Sequence, residues 1–312
     1  MTAPTPDLLV DTSKAIVDTP HARAATRPLE RALPYLLVAP VLIYIFVVLI
    51  LPLLIEIYYS FLTREQGTYT FHIVQKFTLD NYIQVFTQKY IIESLAFTIG
   101  ISFVIAVGTV VLGMPVAQFL ARGTGRGKIF IEMCLLLPLF GDIFAAYALL
   151  YAFAPQGIVN WFLMGIGLIH EPLHLVNQPI SAVIAMMLPS LSVLLMRGAL
   201  IRVDPVYEEA ATMLGANPFR AWYATTFKLA RVGVAGAFLL TFIGGMGAFT
   251  IPLILVNANN AWISTQLRAL FTGNNVTLAS SVSIVLTLLT AVLVYIYIRF
   301  TERRADVQQY VG

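Results

Sequence analysis

Residues 99–121 read IGISFVIAVGTVVLGMPVAQFLA, and no charged residue interrupts them. A helix needs about 20 predominantly apolar residues to cross the hydrocarbon core of a bilayer, and this stretch supplies them. Because no water is present there to bond a bare backbone, the stretch must satisfy its own peptide groups as a helix. The sequence therefore predicts a membrane-spanning helix, which we place at residues 92–121.

The remainder of the 312-residue chain is similarly rich in apolar residues and poor in charged ones. Charged residues make up 11% of the chain and hydrophobic residues 59%, whereas soluble domains are about 25% charged. A net charge of +3 without a basic cluster argues against nucleic-acid binding, and the lone Cys134 excludes a disulfide framework. The fold class predicted is an all-α membrane protein, a six-transmembrane-helix bundle. The six spans are predicted at 33–61, 92–121, 129–153, 176–200, 232–256 and 276–299.

The basic residues indicate the orientation of the bundle. Fifteen of the 19 Lys and Arg residues fall before span one, after span six, in the connections after spans two and four, or, as with Arg197 and Arg299, at the adjoining ends of spans four and six. Only Arg64, Lys76, Lys89 and Arg268 fall on the other side. The positive-inside rule makes the basic side cytoplasmic, and six spans place both termini there. We expect a cytoplasmic tail at 1–31, a transmembrane domain at 32–305 and a short cytoplasmic tail at 306–312.

Two segments on the other side are too short or too polar to span. Residues 158–169 are apolar but number only twelve, which favours an interfacial or re-entrant helix, acting as a cap or as a lid. In the 62–91 connection, Thr78 or Asp80 is the expected N-cap of a helix. This connection could contact an external partner or serve only as a solvated link.

Two strings resemble catalytic or nucleotide motifs but fail on inspection. His170-Glu171-Pro172-Leu173-His174 fits the zinc-protease pattern, yet Pro172 disrupts the helix on which that pattern depends, so we expect neither a metal site nor catalytic residues. Residues 123–128, GTGRGK, lack the first Gly and the final Ser or Thr of a phosphate-binding loop. The chain therefore shows no nucleotide site of its own.

The connection after span four carries the clearest local signals. Residues 204–222 read DPVYEEAATMLGANPFRAW. Asp204 is a predicted N-cap with Pro205 at the first helical position, and the acidic first turn suits the helix dipole. Gly215 predicts a C-cap, after which Asn217 and Pro218 start a second short helix. This helix–Gly–helix unit suits either insertion into a groove of another protein or an ordinary surface location.

Several motifs together carry a family resemblance. Glu209-Ala210-Ala211 followed by Gly215 resembles the EAA loop of type I, MetI-like ABC importer permeases. The spermidine/putrescine (PotB-type) branch is similar at further positions, over about residues 33–300. These positions are Leu79–Tyr82, Gly157–Asn160, Gly167–Ile169, Gly247–Pro252 and Leu278–Ser281. Lys228 stands where the family usually has proline, so the second EAA helix is expected to run more smoothly into span five.

The resemblance implies a set of partners and a coupling role. Family members pair two permease subunits, identical or paralogous, with two ATPase subunits that bind ATP and Mg²⁺, and a separate binding protein delivers substrate. The ATPase-coupling residues would be Glu208, Glu209, Ala210, Ala211 and Gly215, with Glu209 meeting an ATPase arginine. The chain itself would be no enzyme, would bind no cofactor and would lie in the bacterial inner membrane.

Asp142 is the most informative residue within a predicted span. An acid at that depth is costly unless it faces water, a partner or a ligand, and a carboxylate suits a passing polyamine or amine. A hydrogen bond to a neighbouring span is the alternative. Tyr147, Tyr151 and Ser190 are further candidate pathway residues. An aminophosphonate, an amino-acid derivative or a sugar remains an alternative substrate, and a secondary transporter or channel an alternative class.

Overall fold

A computed structural model describes residues 38–66, 71–136, 141–187, 191–256 and 261–309. The predicted tail at 1–31 and the candidate Ser190 lie outside these residues. The chain divides into two compact units, Met1–Ile55 and Glu56–Gly312. The described part of the first unit belongs to one helix, and the second unit contains the structure discussed below.

Six helical segments of the described residues are long and apolar enough to cross a membrane, which confirms the predicted number. They are Val38–Ser60, Lys89–Arg122, Asp142–Gly165, Pro179–Ile201, Pro218–Met246 and Val276–Arg299. We number the helices in chain order. They are α1 Val38–Ser60, α2 Asp80–Thr87, α3 Lys89–Arg122, α4 Arg126–Leu136, α5 Asp142–Phe153, α6 Ile158–Gly165, α7 Pro179–Met187, α8 Leu191–Ile201, α9 Val206–Met213, α10 Pro218–Met246, α11 Thr250–Leu255, α12 Ile263–Thr272 and α13 Val276–Gln309.

The prediction of one continuous third span at 129–153 is wrong. Helix α4 ends at Leu136 and α5 begins at Asp142, directly after Gly141, whose φ is +112°. A right-handed helix cannot include a residue at that φ, so the apolar run is divided into two helices. The apolar segment long enough to span is instead Asp142–Gly165, in which a turn joins α5 to α6. Helix α6 falls within the predicted short apolar segment 158–169.

Helices α3, α8 and α10 form the centre of the second unit. Ala117, Met196 and Ala237, one from each helix, are fully buried in the same hydrophobic cluster. Close approach depends on small residues, as in many membrane bundles. A Cβ added to Gly245 of α10 would lie only 2.9 Å from the Ser102 hydroxyl of α3. The absence of a side chain at Gly245 therefore sets the distance between these two helices.

The 62–91 connection contains a small sheet and a helix that pack on the end of the bundle. Strands β1 (Leu62–Gln66) and β2 (Phe71–Phe77) pair antiparallel. Helix α2 begins at Asp80 with Leu79 as its N-cap, so the predicted N-cap, Thr78 or Asp80, is one residue off on either side. The Thr78 hydroxyl nevertheless accepts a hydrogen bond from the Asp80 N–H at 3.1 Å. The buried Asn81 amide donates to the carbonyls of Ser60 and Leu62, both at 2.9 Å. These bonds fix α2 to the base of the sheet.

Candidate functional site

The connection between the fourth and fifth spans forms the predicted helix–Gly–helix unit, which we call the knob (residues 204–222). The Asp204 carboxylate accepts a hydrogen bond from the Val206 N–H at 3.0 Å, and α9 begins at Val206, one residue later than the capping pattern predicts. Assignments at helix ends vary by a residue or two, so the capping role itself is unaffected. The capping hydrogen bond predicted for Asp204 is therefore present, although the helix begins one residue later than predicted.

The end of α9 is a Schellman motif. Gly215 has a φ of +88°, its N–H bonds the Thr212 carbonyl at 2.9 Å, and the Ala216 N–H bonds the Ala211 carbonyl at 3.1 Å. These are the two reversed hydrogen bonds by which a left-handed residue closes a helix. The chain then turns at Asn217, whose side-chain oxygen accepts from the N–H groups of Phe219 and Arg220. Local hydrogen bonds thus define the shape of the whole knob.

The knob presents an apolar tip. The side chains of Met213, Leu214 and Phe219 are largely exposed, Leu214 to 90%. Glu209 and Ala210 are also exposed, while Ala211 is half-buried. Exposed apolar side chains of this size, rimmed by polar residues, are typical of a protein–protein contact.

Adjacent glutamates of the knob have different surroundings. Glu209 is exposed. Glu208 accepts a hydrogen bond from Arg122 Nη1 at 2.6 Å and another from the Thr226 hydroxyl at 2.9 Å. Consecutive helical residues point about 100° apart, which is why one side chain faces outward while the other faces its own chain.

The second knob helix continues into the fifth span without a break. Helix α10 runs from Pro218 to Met246 and includes a π-helical turn at Tyr223–Phe227. Lys228 follows this turn as an ordinary helical residue. The helix is therefore continuous, as expected, but the π-helical turn interrupts its regular α-helical geometry just before Lys228.

A cavity of about 440 Å³ lies beside α5, α8 and α10, and Asp142 is on its wall. Ser192 and Thr241 line the same cavity, with their hydroxyls 2.7 Å apart and hydrogen-bonded. Asp142 does not lie inside a continuous span as predicted, because it is the first residue of α5 after the break at Gly141. Its carboxylate nevertheless borders a space large enough for a small organic ligand.

The other predicted pathway residues are not brought together there. Tyr147 and Tyr151 follow Asp142 on α5, but neither lines this cavity, and Tyr151 is 73% exposed. Ser190 lies outside the described residues, although its neighbours Leu191 and Ser192 line the cavity. Sequence reasoning missed Thr241, whose partner Ser192 is 49 residues away and gives no local signal.

The zinc-protease string does not have the geometry that its chemistry requires. Residues 170–174 are not helical, so His170 and His174 do not lie one turn apart on a helix face. Within the described ranges, no group of three or more His, Cys, Asp or Glu side chains is placed to hold a metal ion.

Six apolar helical segments long enough to cross a membrane, a cavity lined in part by Asp142, Ser192 and Thr241, and an exposed knob between spans four and five are the features expected of a membrane permease. The chain's similarity to known protein families identifies the kind of permease. Residues 109–307 match the profile of the binding-protein-dependent transport system inner membrane component, and the chain belongs to that family. It is therefore a multi-pass inner membrane permease of a binding-protein-dependent ABC importer, and the alternative of a secondary transporter or channel is wrong.

Curated relatives and one solved structure agree with the assignment. The chain is 26% identical to the spermidine/putrescine transport system permease protein PotB of Escherichia coli over 80% of this chain and 90% of that protein. It is 28% identical to PotB of Haemophilus influenzae over 82% of this chain and 89% of the relative. A bacterial ABC transporter involved in the import of alginate shares the fold, with a TM-score of 0.71, 18% identity, and coverage of 88% of this chain and 97% of that one.

Proposed function

We propose that the chain forms part of the translocation path for a polyamine or a similar small amine. The observation that carries this proposal is the Asp142 carboxylate on the wall of a 440 Å³ cavity among the spans. Its relatives named as spermidine/putrescine permeases favour the same substrate class.

The chemistry of the cavity suits an ammonium group. An ammonium has three N–H donors, and the carboxylate of Asp142 and the hydroxyls of Ser192 and Thr241 all have acceptor oxygens. Asp142 is exposed in the chain, and an acid in a membrane-spanning segment is costly unless a cation or water meets it, so a passing cation would gain a strong interaction there. Tyr147 and Tyr151 do not line this cavity, so their ring faces would attract a passing cation elsewhere along the path.

The coupling role falls to the knob. Its exposed surface, with Glu209, Ala210 and the apolar tip, would dock in a cleft of a separate ATPase subunit, while Ala211 and Gly215 keep the helix narrow and short. Two such ATPases would bind ATP and Mg²⁺, a second permease would complete the path, and a binding protein would deliver substrate. The knob and both termini would then lie on the cytoplasmic side, where the basic residues concentrate.

The test is ATP-dependent uptake by the whole complex reconstituted in liposomes with its binding protein. Asp142→Asn removes the charge while keeping the shape, and we expect spermidine uptake to fall about tenfold or more, the equivalent of one charged hydrogen bond. Glu171→Gln removes an exposed acid from the 170–174 loop and should leave uptake unchanged. Unchanged uptake by Asp142→Asn would refute its role.

A second measurement identifies the substrate. The binding protein of the same importer is titrated with polyamines, amino acids, phosphonates and sugars. We expect polyamines to bind most tightly, and preferential binding of an uncharged sugar would overturn the amine assignment.

A further inference from the structure

Glu208 belongs to a closed triangle of hydrogen bonds. Arg122 Nη1 donates to Glu208 Oε2 at 2.6 Å, and Arg122 Nη2 donates to the Thr226 hydroxyl at 3.1 Å. That hydroxyl in turn donates to the same Glu208 Oε2 at 2.9 Å. Each of the three side chains therefore contacts the other two.

The triangle joins three separate segments of the chain. Arg122 is the last residue of α3, a 34-residue helix, and Thr226 lies in the π-helical turn of α10. Glu208 is in the first turn of α9, the exposed helix of the knob. Two membrane spans thus meet the knob at one carboxylate oxygen.

The surroundings of the triangle make it stiff. Thr226 is fully buried, and the side chains of Arg122 and Glu208 are only 27% and 24% exposed. Hydrogen bonds between ionised groups are short, strong and sensitive to geometry, and partial burial reduces screening by salt. A displacement of α9 would consequently strain these bonds unless α3 and α10 moved with it.

We propose that Glu208 is a positioning residue that transmits movement of the knob to the ends of α3 and α10, rather than a contact for the ATPase. This inference rests on the proposed coupling function of the knob. The two adjacent glutamates then have different roles. Glu209 faces the partner, and Glu208 bonds Arg122 and Thr226 of its own chain. The same movement reaches the cavity, because α10 carries both Thr226 and the cavity-lining Thr241.

The test compares transport with ATP hydrolysis in the reconstituted complex. Glu208→Gln removes the charge at the centre of the triangle, and we expect the number of substrate molecules carried per ATP to fall about tenfold while ATP hydrolysis continues. The double variant Glu208→Arg with Arg122→Glu restores an opposite-charge pair and should recover most of the ratio. Unchanged coupling in Glu208→Gln would overturn the inference. So would low coupling in the single variants Glu208→Arg and Arg122→Glu that the double variant does not recover.

Thr226→Val provides a milder test if Glu208→Gln fails to assemble. It deletes the hydroxyl but keeps the shape, and we expect the transport-to-hydrolysis ratio to fall severalfold with normal assembly. A wild-type ratio in Thr226→Val would contradict the inference. Thr225→Val is the matched control, since the Thr225 hydroxyl bonds only the Ala221 carbonyl within the same helix among the described contacts.

Glu209→Lys separates failure of the inference from failure of the proposed function. If Glu209→Lys abolishes transport while Glu208→Gln couples normally, the knob is the coupling element and only the role of Glu208 is wrong. If Glu209→Lys transports at the full rate, the coupling function itself fails.

Discussion

The knob and the cavity are built in opposite ways. In the knob, the caps at Asp204, Gly215 and Asn217 are all made by hydrogen bonds between residues at most five apart. In the cavity wall, Ser192 is hydrogen-bonded to Thr241, 49 residues away, and the lining residue Gly245 packs closely against the still more distant Ser102. A unit that holds its own shape can press on a partner, whereas a wall assembled from several spans can rearrange when those spans shift.

This difference predicts which measurement each substitution changes. Substitutions in the spans should lower the melting temperature of the bundle because they disturb packing between helices. Substitutions in the knob should change the coupling of transport to ATP hydrolysis with little change in melting, because helix α9 contributes no buried residue to the hydrophobic core.

The largest effect on stability is expected at Gly245. Gly245→Ala introduces a Cβ 2.9 Å from the Ser102 hydroxyl and 3.2 Å from its Cα, which should destabilise the bundle by about 1–3 kcal/mol through overpacking. The readout is the Tm of the purified complex in detergent. The neighbouring Gly244→Ala meets open space and should melt like the wild type. Equal melting of both variants would show that this contact does not limit stability.

A smaller, local effect is expected at Gly215. A Cβ there has nothing within 4 Å, so Gly215→Ala acts only through its φ of +88°, at a cost of about 1–2 kcal/mol. We expect lower transport per ATP with an unchanged Tm. Gly165→Ala, at a helical glycine with equally open surroundings, is the control. A drop in Tm as large as that of Gly245→Ala would break the distinction between the two regions.

The smallest effect is expected at Asn217. Asn217→Ala deletes the oxygen that accepts from Phe219 and Arg220, which costs the second knob helix about 1 kcal/mol. Transport per ATP should fall slightly, and Asn217→Asp, which keeps an acceptor oxygen, should retain it. Equal loss in both variants would point to a role other than capping.

The same division explains how much of the structure could be read from the sequence. The caps of the knob are local, so Asp204, Gly215 and Asn217 were enough to predict it. The break at Gly141 was missed because it interrupts a uniformly apolar run in which helical length alone is the signal. The Arg122–Glu208 pair joins residues 86 apart, and the Ser192–Thr241 pair joins residues 49 apart. Contacts of this kind depend on how the spans pack, which no local pattern records.

The central claim is that the knob delivers the work of ATP hydrolysis to the cavity. It is tested most directly by ATP-driven spermidine uptake in liposomes containing the complex with Glu209→Lys, with subunit assembly checked by copurification. We predict that the complex assembles and that uptake is abolished, because a lysine would face the positively charged partner surface that we expect to meet Glu209. Uptake at the wild-type rate by the assembled variant would contradict the account.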